Sequence, residues 1–366
     1  MITYIVLVIL MKVIYDKSYK VFFGQSVLNH LAQTIINKEY SNVFVLVDDN
    51  TEKFCLPILK PYLENFILIK IPSGEVNKNL KTANIIWDDL QQHSANRNAV
   101  LLNLGGGTLS DIGGFCAATF KRGIDFINIP TTLLSMVDAA IGGKQGLDLN
   151  NYKNLIGVFQ HPEQIFIFPE FINTLPNNEK RNGLAEIIKH ALVSDDKLFD
   201  KIISTSKIDT EQLEKWIEKS AKIKIKIINK DPFEKGLRKV LNFGHTIGHA
   251  VETFSLINDS EPLKHGEAVA IGIICESYLS YKCNKLSKEE FDLIVQFIFK
   301  NFDKYMSNWN NKKLLKIMQN DKKNINSEIN FTLLKKIGKA KINCFCSIDL
   351  IIESLEYYNN FEPSKI

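Results

Sequence analysis

Residues 99–120 read AVLLNLGGGTLSDIGGFCAATF, and this stretch decides the fold. Residues 99–104 form a short apolar run that is typical of a buried β-strand. The run leads directly into Gly105, Gly106 and Gly107, and residues 109–120 then have helical character. A glycine turn at this place lets the backbone approach a pyrophosphate, whose negative charge the N-terminus of the helix favours. The stretch therefore predicts a strand–turn–helix unit that binds a dinucleotide.

The match to the dinucleotide fingerprint GxGxxG is incomplete. Ser110 occupies the position of the last glycine, and no acidic residue ends a strand about 20 residues later. A tight turn between a strand and a helix, with no ligand, is therefore the alternative interpretation of this motif.

Strands and helices alternate through the rest of the first half of the chain. Apolar strands are predicted at 42–47, 66–71 and 125–129, and an amphipathic helix is predicted at 83–93. This alternation predicts a parallel sheet that is covered by helices on both faces. Ligands of such sheets bind beyond the carboxyl ends of the strands, where the glycine turn falls.

The second half is mainly helical, with short strands expected at 331–334 and 340–345. We therefore predict a Rossmann-like α/β domain at 11–176 and a mainly α-helical domain at 177–366, with the active site in the cleft between them. The apolar residues 1–10 are too short to span a membrane and lack the features of a signal peptide. They are expected to be a dispensable or mis-assigned extension.

The composition is that of an ordinary globular protein. Of the 366 residues, 45% are hydrophobic and 23% are charged, and the net charge is only +4. No cluster of Lys and Arg is interleaved with aromatic residues, so we expect no nucleic-acid partner and no membrane partner. The six cysteines are scattered without a CxxC pair, which fits a reducing cytoplasm. Cys344 and Cys346 would share one face if their segment is a strand.

The second informative stretch is LNFGHTIGH at 241–249. His245 and His249 are four residues apart in a predicted helix, so both imidazoles project from one face. His265 follows in a chain that has only seven histidines, and three so close together indicate a metal site or proton chemistry. Thr246 stands where a zincin has glutamate, which argues against a metalloprotease.

Two histidines and one carboxylate are a common ligand set for a catalytic zinc ion. From the spacing alone, three residues are candidates for the carboxylate, namely Glu186, Glu252 and Glu267. The alternative for the histidine pair is a half-buried polar patch without a metal.

Several lysines precede or follow these motifs. Lys144, after two glycines, and the pair Lys153 and Asn154 offer donors that suit a phosphate or a carboxylate. Glu186 and Lys189 are three residues apart, which favours either a surface ion pair or a metal ligand beside a substrate-binding lysine. The lysines at 222, 224 and 226 alternate with isoleucine and predict a solvated helix edge, with one lysine facing a cleft.

Six segments together resemble the 3-dehydroquinate synthase family of the sugar phosphate cyclase superfamily. The resemblance extends from about residue 48 to residue 338. The segments are GGGTLSDIGGFCAATFKRG (105–123), PTTLLSMVDAAIGGK (130–144), YKNLIGVFQHP (152–162), NGLAEIIKH (182–190), LRKVLNFGHTIGHAVE (237–252) and HGEAVAIG (265–272).

The resemblance implies a carbon–oxygen lyase that depends on NAD and a divalent metal, Zn²⁺ or Co²⁺. Its substrate would be the sugar phosphate 3-deoxy-D-arabino-heptulosonate 7-phosphate, converted to 3-dehydroquinate and phosphate in the shikimate pathway. The steps would be transient oxidation by NAD, phosphate elimination, re-reduction and an intramolecular aldol closure. A cytoplasmic homodimer is implied as well. The alternatives are another cyclase, such as 2-deoxy-scyllo-inosose synthase, and a glycerol-dehydrogenase-like oxidoreductase.

The resemblance also implies roles for individual residues. The metal ligands would be Glu186, His245 and His265. The catalytic residues would be His249, Glu234, Lys144, Lys189 and Asn242. The NAD contacts would be Asp48, Asp49, Asn50, Glu75, Lys78, Gly106, Gly107, Thr108, Asp111, Thr131, Thr132, Lys153, Phe171 and Thr174. The substrate contacts would be Arg122, Asp138, Lys144, Asn154, Lys189, Lys224, Arg238, Asn242, and Lys322 or Lys323, with Arg122 reaching a phosphate across the dimer interface.

Overall fold

The computed structural model of the chain describes residues 11–150, 152–206, 208–305, 309–319, 324 and 328–362. The described residues form two compact units. The first unit draws on the described parts of Met1–Lys180 and Thr210–Asn229, and the second on those of Arg181–Asp209 and Lys230–Ile366. The expected extension at residues 1–10 lies outside the described residues, as do Lys322 and Lys323.

The first unit contains a seven-stranded sheet and a separate two-stranded hairpin. The strands are β1 (Met11–Tyr15), β2 (Lys20–Gly24), β3 (Val43–Asp48), β4 (Ile67–Ile71), β5 (Val100–Gly105), β6 (Asp125–Pro130), β7 (Lys144–Leu149), β8 (Tyr152–Phe159) and β9 (Gln164–Ile167). The sheet has the order β1-β2-β9-β6-β5-β3-β4, and every neighbouring pair is parallel except β1 and β2. The predicted parallel sheet is therefore confirmed.

The central strands are apolar because both of their faces are covered. All six residues of β5 are buried, and four of the six in β3 are buried as well. Helices of this unit are Val27–Lys38, Asp49–Phe54, Leu56–Leu59, Leu80–Gln92, Gly107–Thr119 and Thr210–Ile228. Ala83, Ile86 and Leu90 lie in the same apolar core as Leu101, Ile112 and Phe115, which shows how sequence periodicity becomes packing.

The connections of the sheet fix where a ligand is expected. From β3 the chain adds β4 on one side, whereas β5 lies on the other side and is followed by β6 and β9. This reversal makes the gap between β3 and β5 a topological switch point, and ligands bind beyond the carboxyl ends of the strands there. The two ends are Asp48 and Gly105.

The hairpin of β7 and β8 is not among the strands predicted from the sequence. The two strands pair in antiparallel register, with Lys144 opposite Phe159 and Leu149 opposite Tyr152. Strand signals are weak here because the segment combines glycines with polar residues, and Asn150 at the turn adopts a left-handed φ of 50°.

The second unit is mainly helical, as predicted. Its helices are Asn177–Ser194 from Arg181 onward, Asp196–Ile203, His245–Asn258, His265–Cys283, Lys288–Asn301, Asn311–Gln319 and Ile348–Asn360. The hairpin of β10 (Phe331–Lys336) and β11 (Lys339–Cys344) completes it. Because β11 ends at Cys344, Cys346 lies beyond the strand and the two cysteines do not share a strand face. Among the described residues, no helix combines the length and the apolar character needed to cross a membrane.

Candidate active site

The glycine turn lies at the carboxyl end of β5, where the sequence predicts it. A Cβ at Gly105 would lie 2.8 Å from Cβ of Leu109, so a side chain here would displace the first turn of the following helix. Gly106 is the N-cap of the helix Gly107–Thr119, and no side chain caps that helix. Gly106, Gly107 and Thr108 are partly exposed, so the first backbone N–H groups of the helix can face an anionic ligand.

The neighbouring strand ends supply polar groups to the same edge. Asp48 ends β3, and its side chain accepts the backbone N–H of Thr51 at 2.8 Å, which caps the helix Asp49–Phe54. The N–H of Thr131, which follows β6, donates to the carbonyl of Gly105 at 3.0 Å. Thr174 lies near the helix Asp49–Phe54. Its hydroxyl is 4.0 Å from the thiol of Cys55, which follows that helix.

A buried ion cluster surrounds Lys78, which is 3% exposed. Its Nζ lies 2.8 Å from Oδ1 of Asn154, 3.2 Å from Asp111, 3.5 Å from Glu75 and 3.7 Å from Asp148. Burial lowers the pKa of Lys78, but the three carboxylates outweigh it and raise that pKa overall. Burial raises the pKa of Asp111 to about 6, although the Lys78 ammonium opposes the shift.

Three other residues predicted to contact NAD, namely Asp49, Lys153 and Asn50, also belong to the first unit. Asp49 accepts the N–H of Ser73 at 3.3 Å, and its bond to Lys70 lowers its pKa. Lys153 lies 3.5 Å from Glu75. Asn50 is exposed.

Two more predicted NAD contacts differ in burial. The side chain of Phe171 is fully buried, and its ring packs edge-on against Phe168 at 5.2 Å. Thr132 is half-buried, and its hydroxyl bonds to Ser135 at 2.9 Å.

Of the three alternating lysines at 222, 224 and 226, Lys224 is the buried one. It is 6% exposed, and its Nζ donates to the carbonyl of Asp138 at 2.6 Å and to the carboxylate of Asp138 at 2.8 Å. Lys222 instead pairs with Glu218 at the surface. The predicted substrate residues Lys144 and Arg122 are both exposed, and Arg122 adopts a left-handed φ of 67°.

In the second unit, Glu186 faces two imidazoles. Its Oε1 lies 3.5 Å from Nε2 of His245 and 3.5 Å from Nε2 of His265. Glu186 is fully buried in the helix Asn177–Ser194, and His245 is 8% exposed. The ring of His249 lies 5.0 Å from that of His245 and 5.7 Å from that of His265. Each of the three histidines offers a nitrogen within 4.8 Å of the other two.

The other nitrogens of the two imidazoles bind oxygen atoms. Nδ1 of His245 lies 3.1 Å from the carbonyl of Phe243, and Nδ1 of His265 lies 3.4 Å from Oε2 of Glu252. Such contacts hold a proton on Nδ1, so Nε2 is the nitrogen of each ring that can bind a cation. Glu267, the third carboxylate considered from the sequence, instead accepts the N–H of Lys264 at 2.8 Å.

The charges around this cluster suit a cation. Burial lowers the pKa of His265, but the carboxylates of Glu252 and Glu186 outweigh it and raise the pKa to about 10. Lys189 forms a buried ion pair with Glu186, three residues earlier on the helix, so the surface pair considered from the sequence is wrong. Two imidazoles and a carboxylate that converge on one point are a donor set for Zn²⁺ or Co²⁺.

Close backbone packing brings the two histidine helices together. A Cβ at Gly272 would lie 1.9 Å from the carbonyl oxygen of Gly244, so a side chain there would push the helices apart. The N–H of Gly266 donates to Oδ1 of Asn182 at 2.6 Å, and this bond ties the start of the helix that carries His265 to the helix that carries Glu186.

Glu276 is a site residue that the sequence analysis missed. It is fully buried, and its carboxylate accepts the N–H of Gly244 at 2.6 Å and that of Ile247 at 3.0 Å. It therefore caps the N-terminus of the helix that begins with His245. Glu276 directly follows the apolar run 268–275, and an acidic residue at this place was the available signal.

The remaining predicted residues of the second unit form a polar loop before the histidine helix. Nδ2 of Asn242 donates to Oε1 of Glu234 at 2.7 Å. Arg238 is 3% exposed, and its Nη1 donates to the carbonyl of Pro232 at 2.6 Å. Asp231 accepts three backbone N–H groups of this loop, which lower its pKa against the effect of burial.

Both halves of the chain match a known protein family. Residues 68–182 match the family described as 3-dehydroquinate synthase N-terminal, and residues 183–324 match that described as 3-dehydroquinate synthase C-terminal. A 3-dehydroquinate synthase of Parabacteroides distasonis is 39% identical over 345 residues, which cover 93% of this chain and 97% of that protein.

Two solved structures have the same architecture. The 2-epi-5-epi-valiolone synthase of Streptomyces hygroscopicus, with NAD⁺ and Zn²⁺ bound, has a TM-score of 0.83 and 25% identity, covering 95% of this chain and 98% of its own. A 2-deoxy-scyllo-inosose synthase complexed with carbaglucose-6-phosphate, NAD⁺ and Co²⁺ has a TM-score of 0.83 at 23% identity, covering 94% and 98%. The second likeness is one of fold alone.

Proposed function

The chain belongs to the 3-dehydroquinate synthase family, and we propose how its own residues carry out that family's reaction. The resemblance found in the sequence is confirmed, and with it the enzyme class, a lyase that requires NAD and a divalent metal. The reaction converts 3-deoxy-D-arabino-heptulosonate 7-phosphate to 3-dehydroquinate and phosphate. The alternative activities considered from the sequence are not favoured, because the curated relatives at higher identity are 3-dehydroquinate synthases.

The metal ligands in this proposal are Glu186, His245 and His265. The observation that most supports this ligand set is that Oε1 of Glu186 lies 3.5 Å from Nε2 of each histidine. Ligand atoms of a tetrahedral ion with bonds of about 2.1 Å lie about 3.4 Å apart, and both separations from Oε1 of Glu186 are close to this value. Glu252 and the carbonyl of Phe243 hold the imidazoles in the orientation that such a site needs.

NAD is proposed to bind at the carboxyl edge of the first unit's sheet. The uncapped helix start after Gly106 suits the pyrophosphate, and Asp48 and the cluster of Lys78 with Asp111 suit the polar groups of the dinucleotide. When bound, the nicotinamide supplies a reversible hydride acceptor and the metal supplies a Lewis acid that polarises the substrate's C5 oxygen.

The remaining residues are proposed to position the substrate and move its protons. Lys144, Asn154 and Lys224 of the first unit are assigned to the substrate, and their ammonium and amide donors suit a phosphate and a carboxylate. His249 is proposed to exchange the proton of the substrate's hydroxyl, a role that suits an imidazole near neutral pH.

Further substrate groups are proposed from the second unit. Lys189, Arg238 and Asn242 are assigned to the substrate, and Glu234, which bonds to Asn242, is assigned to proton transfer. Lys322 or Lys323 completes the phosphate contacts in this proposal. Residues 11–176 are proposed as the NAD-binding domain, and residues 177–366 as the metal- and substrate-binding domain.

We also propose a homodimer in which the exposed Arg122 reaches the substrate phosphate bound by the partner subunit. A reducing, cytoplasmic location is proposed because all six cysteines are free. Sedimentation of wild-type protein tests the dimer. Mixing Arg122→Ala with His245→Ala protein should restore part of the activity if the two subunits share the site.

The activity is tested by incubating the protein with NAD⁺, Zn²⁺ and the heptulosonate phosphate. We expect phosphate and 3-dehydroquinate in equal amounts, with no net NADH. His245→Ala should lose metal and activity together, whereas the matched variant His93→Ala, at an exposed histidine outside this cluster, should keep both. Steady accumulation of NADH, or product only from another sugar phosphate, would contradict the proposed function.

A further inference from the structure

Two thiols meet in the second unit at a place that the reaction does not use. Cys283 is the last residue of the helix His265–Cys283, and Cys346 lies in the short connection between β11 and the helix Ile348–Asn360. Their sulfur atoms are 3.5 Å apart. Cys283 is exposed and Cys346 is half-buried, whereas the other four cysteines are buried.

The surroundings make the two thiols chemically different. Either thiol can donate to the other, the thiol of Cys283 also donates to the carbonyl of Leu279 at 2.9 Å, and the ammonium of Lys341 lies nearby. The bond from Cys346 and the charge of Lys341 lower the pKa of Cys283 to about 7, against the effect of burial. The same bond raises the pKa of Cys346, and so do burial and the neighbouring Cys344 and Glu276. Cys283 is the more exposed and the more acidic of the two thiols, so it is the one that reacts first.

We propose that Cys283 and Cys346 are a modification site that a small-molecule disulfide converts reversibly into an intramolecular disulfide. The sulfur atoms must approach by about 1.5 Å to reach bonding distance. That movement is within reach because Cys346 lies outside regular secondary structure and Cys283 ends its helix. A transient disulfide of this kind is compatible with a reducing compartment, in which redox-sensing cysteines also occur.

The chemistry takes two exchange steps and is balanced. The thiolate of Cys283 attacks one sulfur of oxidised glutathione, the S–S bond breaks, and one glutathione leaves as a thiolate. The thiol of Cys346 then gives up its proton to that thiolate and attacks the sulfur of Cys283, which releases the second glutathione. In total, two protein thiols are oxidised to a disulfide, and one oxidised glutathione is reduced to two molecules of glutathione.

The bond would join two elements that are far apart in the chain. The two cysteines are 63 positions apart, so the crosslink closes a long loop and restricts the unfolded chain. It would tie the far end of the helix that begins with His265 to the start of the last helix. The oxidised form is therefore expected to melt at a higher temperature than the reduced form.

The test treats the full-length protein with oxidised glutathione at pH 7 and maps its disulfides by peptide mass spectrometry. We expect a bond between Cys283 and Cys346, a rise in melting temperature, and reversal of both by dithiothreitol. In Cys346→Ala, glutathione should remain attached to Cys283. The matched variant Cys344→Ser, at the neighbouring buried cysteine, should still form the disulfide.

The rate of alkylation tests separately whether Cys283 is the more reactive thiol of the pair. Without its donor, Cys283 in Cys346→Ala should return towards the ordinary pKa of about 8.5, so its thiolate fraction at pH 7 falls about fifteenfold. Because a thiolate of higher pKa is also more nucleophilic, the net alkylation rate should fall only about fourfold. Oxidised wild-type protein without the Cys283–Cys346 bond, or no glutathione on Cys283 in the variant, would overturn the proposal.

Discussion

Glu252→Gln is the substitution whose effect on metal binding follows most fully from the structure. Glu252 is 3% exposed, and its Oε2 lies 3.4 Å from Nδ1 of His265, whose Nε2 faces Glu186. Glutamine keeps an oxygen that can accept the Nδ1–H bond, but it removes the negative charge. Loss of such an outer partner typically weakens metal binding about 10- to 100-fold, and we expect this loss in the fully deprotonated site.

The same substitution changes how pH affects metal binding. Because the pKa of His265 is raised to about 10 in the metal-free protein, its ring must lose a proton before Nε2 can bind a cation. Wild-type affinity should therefore fall about tenfold for each pH unit below about 10. Without the charge of Glu252 the pKa of His265 is lower, so the fall begins at a lower pH, and the difference between variant and wild type narrows as pH decreases.

The assay is a competition titration of Zn²⁺ against a chromophoric chelator between pH 6 and pH 9, with calorimetry in several buffers to count protons. Wild-type protein should release about one proton from His265 for each metal bound, and Glu252→Gln should release fewer as pH rises. The control is Glu267→Gln, because Glu267 bonds to the N–H of Lys264. Parallel pH profiles for wild type and Glu252→Gln, or a larger loss in Glu267→Gln, would refute the reasoning.

Three further substitutions test other parts of the proposed site. Glu276→Gln leaves one buried N–H of the capped helix without an acceptor, so the free energy of unfolding in urea should fall by about 1–3 kcal/mol; an unchanged value would contradict the capping role. Lys78→Met removes the cation beside Asp111, and the Kd for NAD⁺, measured by fluorescence titration, should rise about tenfold or more, since an uncompensated buried carboxylate is costly. Lys224→Met removes the ammonium that bonds to Asp138 and should lower kcat/KM for the sugar phosphate about tenfold or more with little change in NAD⁺ affinity; equal losses would mean that the lysine serves the nucleotide.

Exposed lysines near the two substituted ones provide matched controls. Lys81→Met lies three residues after Lys78, and Lys226→Met lies on the same helix as Lys224. Both side chains are exposed, so each substitution should leave NAD⁺ affinity and kcat/KM close to the wild-type values. A loss in Lys81→Met as large as in Lys78→Met would point to a general effect of charge.

Local patterns in the sequence were sufficient for the elements that carry the motifs. The apolar run before the glycines is strand β5, and the helix after them is Gly107–Thr119. Both follow from short-range physics, since strand length, apolar content and glycine at a tight turn are all visible within one stretch. The helical nature of the segment with His245 and His249 was predictable for the same reason.

Partners that are distant in the chain were not predictable from such patterns. Spacing alone left three carboxylates open, because the approach of Glu186 to the two imidazoles depends on the packing of three helices. Lys224 was one of three equivalent lysines until the fold brought it to Asp138, 86 positions away. The strand order of the sheet likewise depends on pairings between distant segments, which periodicity does not encode.

The most direct test is anomalous diffraction at the zinc absorption edge from crystals of the protein grown with Zn²⁺ and NAD⁺. We expect one strong peak about 2.0–2.2 Å from Oε1 of Glu186, Nε2 of His245 and Nε2 of His265. A zinc peak bound elsewhere, with these three side chains left uncoordinated, would contradict the proposed metal centre.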